Sequence, residues 1–378
     1  MAKKKQEYEG PRGTRPEEYQ SLVQLLSTVF NPGLDAWLPG MFNQDNLDNL
    51  RIIVADGKVV SHVGIASGYA SLDGCKVGIG RIGCVATYEE YRGRGYASML
   101  MQDAMTKMEA EGVDVMLVSG GRGLYRRINC ADAGIQVIAH LQAGALAPAP
   151  PEIELRPVKP DDVDFMVKAY STKKAHFIRS REHMTTLLSG TAGTARRKNE
   201  VVILDDGKPA AYAIMGWRRR NDGGFAREQA GKPMALVDGL RAIMCEFGVS
   251  HLHISTGAWD RGLLNELKRR KVEVHRDYGG YTVKILNPQR FLDRVRPLIA
   301  RKAGEGVAKR LKVEGTPDDM TVRLGRQAVR VEGQTPPQLF FGTPDNHEKA
   351  WYPKSGALRE ALEKTLPIPL PLYELDYV

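Results

Sequence analysis

The chain repeats itself. "NLRIIVADGKVVSHVGIAS" and "NEVVILDDGKPAAYAIMGW" each set two apolar runs around an Asp-Gly pair, Asp56-Gly57 in one and Asp206-Gly207 in the other, 150 residues apart. Asp-Gly between such runs predicts a tight β-hairpin, because both central residues of that turn need a positive φ. A comparable segment precedes each hairpin, "TRPEEYQSLVQLL" and "LRPVKPDDVDFMV". A duplicated domain is the economical explanation.

The rest of the chain fits around that duplication. Small residues and clustered prolines make "LQAGALAPAPPEIELRPV", residues 141–158, a semi-extended linker. From about Asn287 the texture changes. "NPQRFLDRVRPLIARKAGEG" has helical spacing at Phe291, Val295, Leu298 and Ile299, and "MTVRLGRQAVRVEG" alternates as a strand pair. We therefore expect an α/β (α+β) chain of three units, at residues 1–147, 148–285 and 286–378. A length of 378 residues suits two or three domains.

Composition removes several function classes. With 42% hydrophobic and 26% charged residues the chain reads as a soluble globular protein. No apolar run is long enough to span a bilayer, so no membrane partner is expected. "MAKKKQEYEGPRG" lacks the apolar core of a signal peptide. Cys75, Cys84, Cys130 and Cys245 show no metal-ligand or redox spacing, which fits small buried thiols in a reducing, cytoplasmic compartment and no metal. The net charge of +9 favours anionic partners without choosing among them. The densest basic cluster, "WRRRNDGG" at residues 217–224, reads as a solvated loop, and no nucleic-acid recognition motif appears.

The stretch "CVATYEEYRGRGYASMLMQ", residues 84–102, carries the chemistry. A short strand around Val85 and Thr87 leads through glycines 93 and 95 into a helix with an apolar stripe at Met99, Leu100, Ala104 and Met108. Amides at a helix start point outward unpaired, and the helix dipole favours an anion there. Arg92 and Arg94 add guanidinium groups suited to phosphate oxygens. "YEEY" separates strand from helix, unlike a dinucleotide turn, and no Gly-Lys-Ser/Thr is present for a triphosphate loop. A glycine turn with merely exposed arginines gives the same residues.

Arg92-Gly93-Arg94-Gly95-Tyr96-Ala97 resembles the Q/R-x-x-G-x-G/A signature of the GNAT superfamily of acetyltransferases. It stands where that family has it, between the fourth strand and third helix of an N-terminal domain. The resemblance implies acetyl-CoA as cosubstrate. Val85, Ala86 and Thr87 would face the pantetheine arm, and Gly93, Arg94, Gly95, Tyr96, Ala97 and Ser98 would hold the pyrophosphate, with Arg92 opening the motif. Glu89 stands where many members have proline. The whole chain resembles the enhanced intracellular survival (Eis) acetyltransferases of bacteria. That implies two GNAT-like domains, the second degenerate and lacking the Arg/Gly turn, then a sterol-carrier-like domain. A homo-oligomer, with a hexamer among its forms, is also implied.

Acetyl transfer to an amine needs a base for the ammonium and an acid for the leaving thiolate. "VMLVSGGRGLYRRIN" reads as a strand from Val115 to Ser119, a glycine loop and a helix start bearing Tyr125. The resemblance makes Tyr125 the acid and lays Gly120 and Gly121 against the coenzyme. Asn129 and Cys130 replace the family's usual glycine and aromatic. Read without the family, Tyr125 is a packing residue with its hydroxyl at the surface. "RIGCVAT" offers no base. His62 and His140 are alternatives, although a lone histidine near a strand is usually structural. The apolar, proline-stiffened "LPIPLPLYELDYV" reads as a docked tail. The resemblance brings its last carboxylate, on Val378, into the active site as base; a tail that only packs between domains is the other reading.

In "FNPGLDAWLPGMFNQDN", residues 30–46, Asp35 and Trp37 would line the acceptor channel, or serve as turn and core residues. The expectation is an acetyl-CoA-dependent N-acetyltransferase acting on a primary amine of a small or medium-sized acceptor. The alternative is a non-catalytic acyl-CoA or lipid-binding protein.

Overall fold

The computed structural model describes residues 7–190, 198–217 and 223–378. The first half runs β1 (Tyr8–Gly13), α1 (Tyr19–Val29), α2 (Leu34–Trp37), β2 (Leu50–Ala55), β3 (Lys58–Leu72) and β4 (Cys75–Thr87). It continues with α3 (Tyr96–Ala110), β5 (Val115–Val118), α4 (Gly123–Arg127), β6 (Ala131–Asp132) and β7 (Ile135–Gln142). The second half holds β8 (Ile153–Pro157), α5 (Val163–Ser171), β9 (Ala175–Phe177), α6 (Arg181–Ser189), β10 (Lys198–Asp205) and β11 (Lys208–Trp217). After it come β12 (Gly223–Gly231), α7 (Pro233–Glu246), β13 (His251–Gly257), α8 (Arg261–Arg269), β14 (Glu273–Tyr278) and β15 (Thr282–Ile285). The last unit comprises α9 (Pro288–Ala303), α10 (Glu305–Arg310), β16 (Lys312–Thr316), β17 (Asp319–Leu324), β18 (Gln327–Glu332), α11 (Thr335–Phe341) and α12 (Ala357–Thr365).

Both Asp-Gly pairs turn hairpins as their composition predicts. Asp56 and Gly57 have φ of 51° and 74°, and Asp206 and Gly207 have 51° and 70°. That is the left-handed pair a two-residue turn requires if it is to match the twist of its strands. The α3 stripe is also as expected at Leu100, Ala104 and Met108, with Met101 and Met105 added and Met99 left half-buried. Each fully buried Leu or Met there contributes about 1.5–3 kcal/mol.

The halves exchange strands. The first sheet has the order β1-β2-β3-β4-β5-β15-β6, with β9 also paired to β3; the second runs β14-β7-β13-β12-β11-β10-β8. Strand β15, from the end of the second half, thus inserts between β5 and β6, while β7 inserts between β14 and β13. Sheet membership therefore crosses the expected line at 147/148, while the third sheet, β16-β17-β18, draws only on residues after 286. The predicted linker is likewise shorter than its composition suggests, because Leu141 lies in β7 and Ile153–Pro157 forms β8.

The third sheet, β16-β17-β18, is covered by helices whose predicted face at Phe291, Val295, Leu298 and Ile299 is buried. Arg290 ties α9 to the first sheet through Asp114, with Nε donating to Oδ1 at 2.6 Å. Not every thiol is buried: Cys75 and Cys130 are, Cys84 is half-buried, and Cys245 is exposed. The basic cluster at 217–224 lies largely outside the described residues. No helix among the described residues is long and apolar enough to cross a membrane.

Candidate active site

The site begins where two parallel strands part. β4 and β5 pair from Ile79↔Val115 to Ile82↔Val118, and the amide of Ser119 still donates to Ile82 O at 3.2 Å. Beyond that point β4 runs on to Thr87 without β5. A one-residue bulge lies here, since Gly64 pairs with Gly83 while His62 pairs with Ala86. Cys84 takes the strain with φ of 52°. Its carbonyl turns inward to His62 Nδ1 at 2.8 Å.

Past the bulge the three strand residues differ. Ala86 pairs with His62, accepts from Ser61 Oγ at 3.1 Å, and is buried in the core. Alternation along an antiparallel ladder then turns the backbone of Val85 and Thr87 to the open side. The structure thus sets Val85 and Thr87, but not Ala86, toward the slot.

The loop from β4 to α3 is pinned from below. Tyr91 is buried, and its hydroxyl donates to Asp56 Oδ2 in the hairpin turn at 2.6 Å. That contact accounts for "YEEY", which holds the following turn at a fixed height over the sheet. Gly93 and Gly95 have φ of 76° and 82°, and a Cβ built on either would meet nothing within 4 Å. The first amide to bond within α3 is that of Met99, to Gly95 O at 3.0 Å, and no side chain caps the helix. The amides of Tyr96, Ala97 and Ser98 are therefore the free donors of a helix start. Together with Arg92, Thr87, Leu124 and Arg127 this turn lines a cleft of about 290 Å³.

Two expected contributors turn away. Arg94 donates to Glu90 O at 2.8 Å and stacks over Tyr91, so it braces its own loop. The Tyr96 ring is buried against Tyr8, leaving only its backbone to the cleft. Gly120 and Gly121 are exposed in the turn after β5 and do not line the cleft. Gly120 O accepts from Thr282 Oγ1 on the exchanged strand at 3.0 Å. Arg127 and Leu124, on the opposite wall, were not among the expected residues.

Helix α4 ends as a Schellman motif. The Cys130 amide donates to Tyr125 O at 3.0 Å and the Asn129 amide to Arg126 O at 3.0 Å, with Asn129 at φ of 60°. Asparagine thereby fills the left-handed position that glycine holds elsewhere. Tyr125 is buried beside Cys130. Burial pushes its hydroxyl above the ordinary tyrosine range, against the pull of Arg122; Cys84 and Tyr377 lie near enough to add to the rise. The phenol stays protonated at neutral pH.

Tyr377 brings in the chain's end. The tail is docked, with Ile368, Leu370, Leu372, Tyr373, Leu375 and Val378 buried. Val378 lies directly on Gly83, where a Cβ would come 2.7 Å from Val378 O and 2.9 Å from its Cβ. Only glycine leaves that room. Val378 thus lies on Gly83, and Tyr125 lies within electrostatic reach of the next strand residue, Cys84, and of Tyr377. Of the two histidines, His62 is wholly buried, and burial pulls its ring down to about 4, so it is neutral. His140 lies on β7 in the second sheet, bonded to His275 at 3.1 Å.

A buried charge cluster holds the tail. Asp376 bridges Arg81 on β4 and Arg179, and Arg179 also meets Glu228 on β12 in two bonds of 2.9 and 2.7 Å. Glu374 pairs with Lys173, and the Leu375 amide donates to Glu228 Oε2 at 3.2 Å. Burial pushes the Asp376 carboxyl up, but the Arg179 and Arg81 guanidiniums outweigh it and hold the group below its ordinary range. The signal for this cluster in the sequence was two carboxylates inside an otherwise apolar tail.

A narrow cavity of about 30 Å³ opens beside Val378, lined by Trp37, Met41, Arg81, Arg227 and Tyr377 among others. Trp37 is on its wall. Asp35 is not; it lies half-buried near Tyr19. No group of three or more side chains fit to hold a metal occurs among the described residues.

Residues 11–132 match the family described as an acetyltransferase (GNAT) domain. No curated protein matches the chain by sequence. Among solved structures, a probable N-acyltransferase from Enterococcus faecalis is similar at 15% identity and a TM-score of 0.68, covering 97% of this chain and 98% of that one. A GCN5-related N-acetyltransferase from Anabaena variabilis has 17% identity and a TM-score of 0.67, over 97% and 99% of the two chains. Eis1 from Mycobacterium abscessus has 12% identity and a TM-score of 0.59, over 97% and 98%. At such identities these likenesses speak to fold. Residues 11–132 match a GNAT acetyltransferase domain, within a chain whose fold those structures share along nearly its full length.

Proposed function

We propose that the protein is an acetyl-CoA-dependent N-acetyltransferase acting on a primary amine, with Tyr125 as acid and the carboxylate of Val378 as base. What supports this reading is that Val378 lies on Gly83, just past the last β4–β5 pair, while Tyr125 lies near the next residue, Cys84, and near Tyr377. The cleft at Gly93–Ser98 suits a diphosphate, with free helix amides and Arg92 and Arg127 on its walls. Acetyl-CoA supplies the activated thioester. The Val378 carboxylate takes the proton the acceptor ammonium must lose, directly or through water. As the C–N bond forms and the C–S bond breaks, the Tyr125 hydroxyl gives its proton to the departing sulfur, and the second proton that the nitrogen sheds on becoming an amide returns through water to the phenolate. Trp37 and Met41 shield the reacting amine from bulk water. In the same reading the three units keep the limits 1–147, 148–285 and 286–378, apart from the exchanged strands, and the third is sterol-carrier-like.

Release of free thiol from acetyl-CoA over an amine panel tests the proposal. Tyr125→Phe should lower kcat about 100-fold or more while leaving acetyl-CoA binding intact. Converting the Val378 carboxylate to an amide, by chemical ligation, should do the same without disturbing the tail. Undiminished turnover in either protein removes that group from the mechanism. Tight coenzyme binding with no thiol release for any amine would instead favour the acyl-CoA or lipid-binding reading.

A further inference from the structure

We propose that the acceptor carries a carboxylate on or next to the carbon that bears its amine, and that Arg227 binds it. The inference rests on the acetyltransferase reading above and names the substrate class of the same site.

Arg227 is the first residue of β12 beyond its parallel pairing with β13, which ends at Ala226↔Ile254. Its side chain lines the narrow cavity that also holds Val378. The other buried cations around the tail are matched: Arg81 by Asp376, Arg179 by Glu228 and Asp376, Lys173 by Glu374. Among the described residues Arg227 makes no ion pair. Its guanidinium lies over the Tyr377 ring, 5.2 Å from the centroid, a contact that orients the fork without neutralising it. Burial pulls the group below the ordinary arginine range. The Glu228 carboxylate acts on it from nearby but is hydrogen-bonded to Arg179, so this half-buried guanidinium has no ion pair of its own, and a bound anion offsets its burial.

The other wall of the cavity supplies the complement. An amino acid presents an ammonium and a carboxylate a few ångströms apart. Val378 and Arg227 both line the cavity, with Tyr377 between them in its lining and under the Arg227 guanidinium. A planar guanidinium matches a carboxylate in two parallel hydrogen bonds. The lining also argues against a polycationic acceptor. Asp376 is its acidic side chain, and that carboxylate is already taken by Arg81 and Arg179. A cavity of about 30 Å³ admits only the amine end of an acceptor, so the discriminating charge must lie close to the reacting nitrogen.

Matched pairs test this directly: tyrosine against tyramine, tryptophan against tryptamine, histidine against histamine. In the wild-type protein kcat/KM should favour the amino acid of each pair by tenfold or more, and in Arg227→Gln the ratio should fall to within threefold of unity. Arg227→Lys should keep part of the preference. A second arm needs no turnover. With coenzyme A present, N-acetyltyrosine should bind the wild type at least tenfold more tightly than N-acetyltyramine by calorimetry, and Arg227→Gln should erase that difference. If no amine is acetylated but the binding difference appears and depends on Arg227, the acetyltransferase reading fails and the anion site stands. Equal or better use of the decarboxylated amines, or a preference that survives Arg227→Gln, overturns the inference, as does equal binding of the two N-acetyl compounds.

Discussion

The two halves contain the same fork and use it differently. In the first, β4 and β5 part after Ile82↔Val118 and the next residue of β4 is Gly83; in the second, β12 and β13 part after Ala226↔Ile254 and the next residues are Arg227 and Glu228. From the first fork the chain runs through residues 88–95, with two left-handed glycines, before α3 begins. From the second it passes through Lys232 alone into α7, whose first residue is Pro233. Proline gives no amide, and one residue leaves no loop to cradle a phosphate. The tail touches both forks, laying Val378 on Gly83 and presenting the Leu375 amide to Glu228. The first fork thus opens onto a turn with a cleft and free helix amides, and the second holds the tail that reaches it.

The sharpest way to break that division is to cut the anchor. Asp376→Ala removes the shared counter-ion of Arg81 and Arg179, both inside the protein. Breaking a buried pair from one side costs about 3–5 kcal/mol, so urea unfolding should shift by that order. Turnover should fall at least 100-fold, because Val378 is no longer held at Gly83. A variant that lost the stability but kept the turnover would show that the second fork does not position the tail's end.

A paired glycine substitution separates the two forks next. Gly95→Ala places a side chain at a φ of 82°, in open space, and costs about 1 kcal/mol of backbone strain. It should also weaken acetyl-CoA binding about tenfold, because the helix-start amides shift. Gly231→Ala has φ of 131° and brings a Cβ within 2.5 Å of Ala210 O and 2.7 Å of Ala211 Cβ. It should cost about 1–3 kcal/mol in stability by overpacking and leave coenzyme affinity unchanged. Calorimetry with acetyl-CoA beside thermal unfolding reads both. Equal losses of affinity would erase the distinction between the forks.

What the sequence disclosed follows from range. The Asp56-Gly57 and Asp206-Gly207 hairpins, the α3 stripe and the Arg/Gly turn are local, each fixed by residues within a few positions, and each was legible. The strand exchange was not. "IQVIAHL" in β7 and "TVKI" in β15 declare strands by composition, but nothing in an apolar run names the sheet it joins. The tail cluster was hidden for the same reason: Arg81 and Asp376 stand 295 residues apart and meet only after both sheets are built. Arg127 lay two residues beyond Tyr125 in plain view, yet its facing the cleft depends on a five-residue helix, α4, whose orientation a Schellman turn sets.

The smallest expected effect separates two carboxylates within the tail. Burial pushes Glu374 up to about 7 although Lys173 is beside it, whereas Asp376 is held low by its two arginines. For Glu374 the folded state binds its proton more tightly than the unfolded chain. Its contribution to stability is therefore complete below about pH 4.5 and lost as pH rises toward about 7. Asp376 acts oppositely: its contribution is present above the ordinary aspartate range and is lost only as pH falls through its depressed value. Glu374→Gln should flatten stability between pH 4.5 and 7, a change on the order of 1 kcal/mol across the window. Urea midpoints taken at half-unit steps would detect it. An unchanged slope would mean that Lys173 holds Glu374 ionised throughout, and that the tail is tied to the second fork by charge as firmly at this residue as at Asp376.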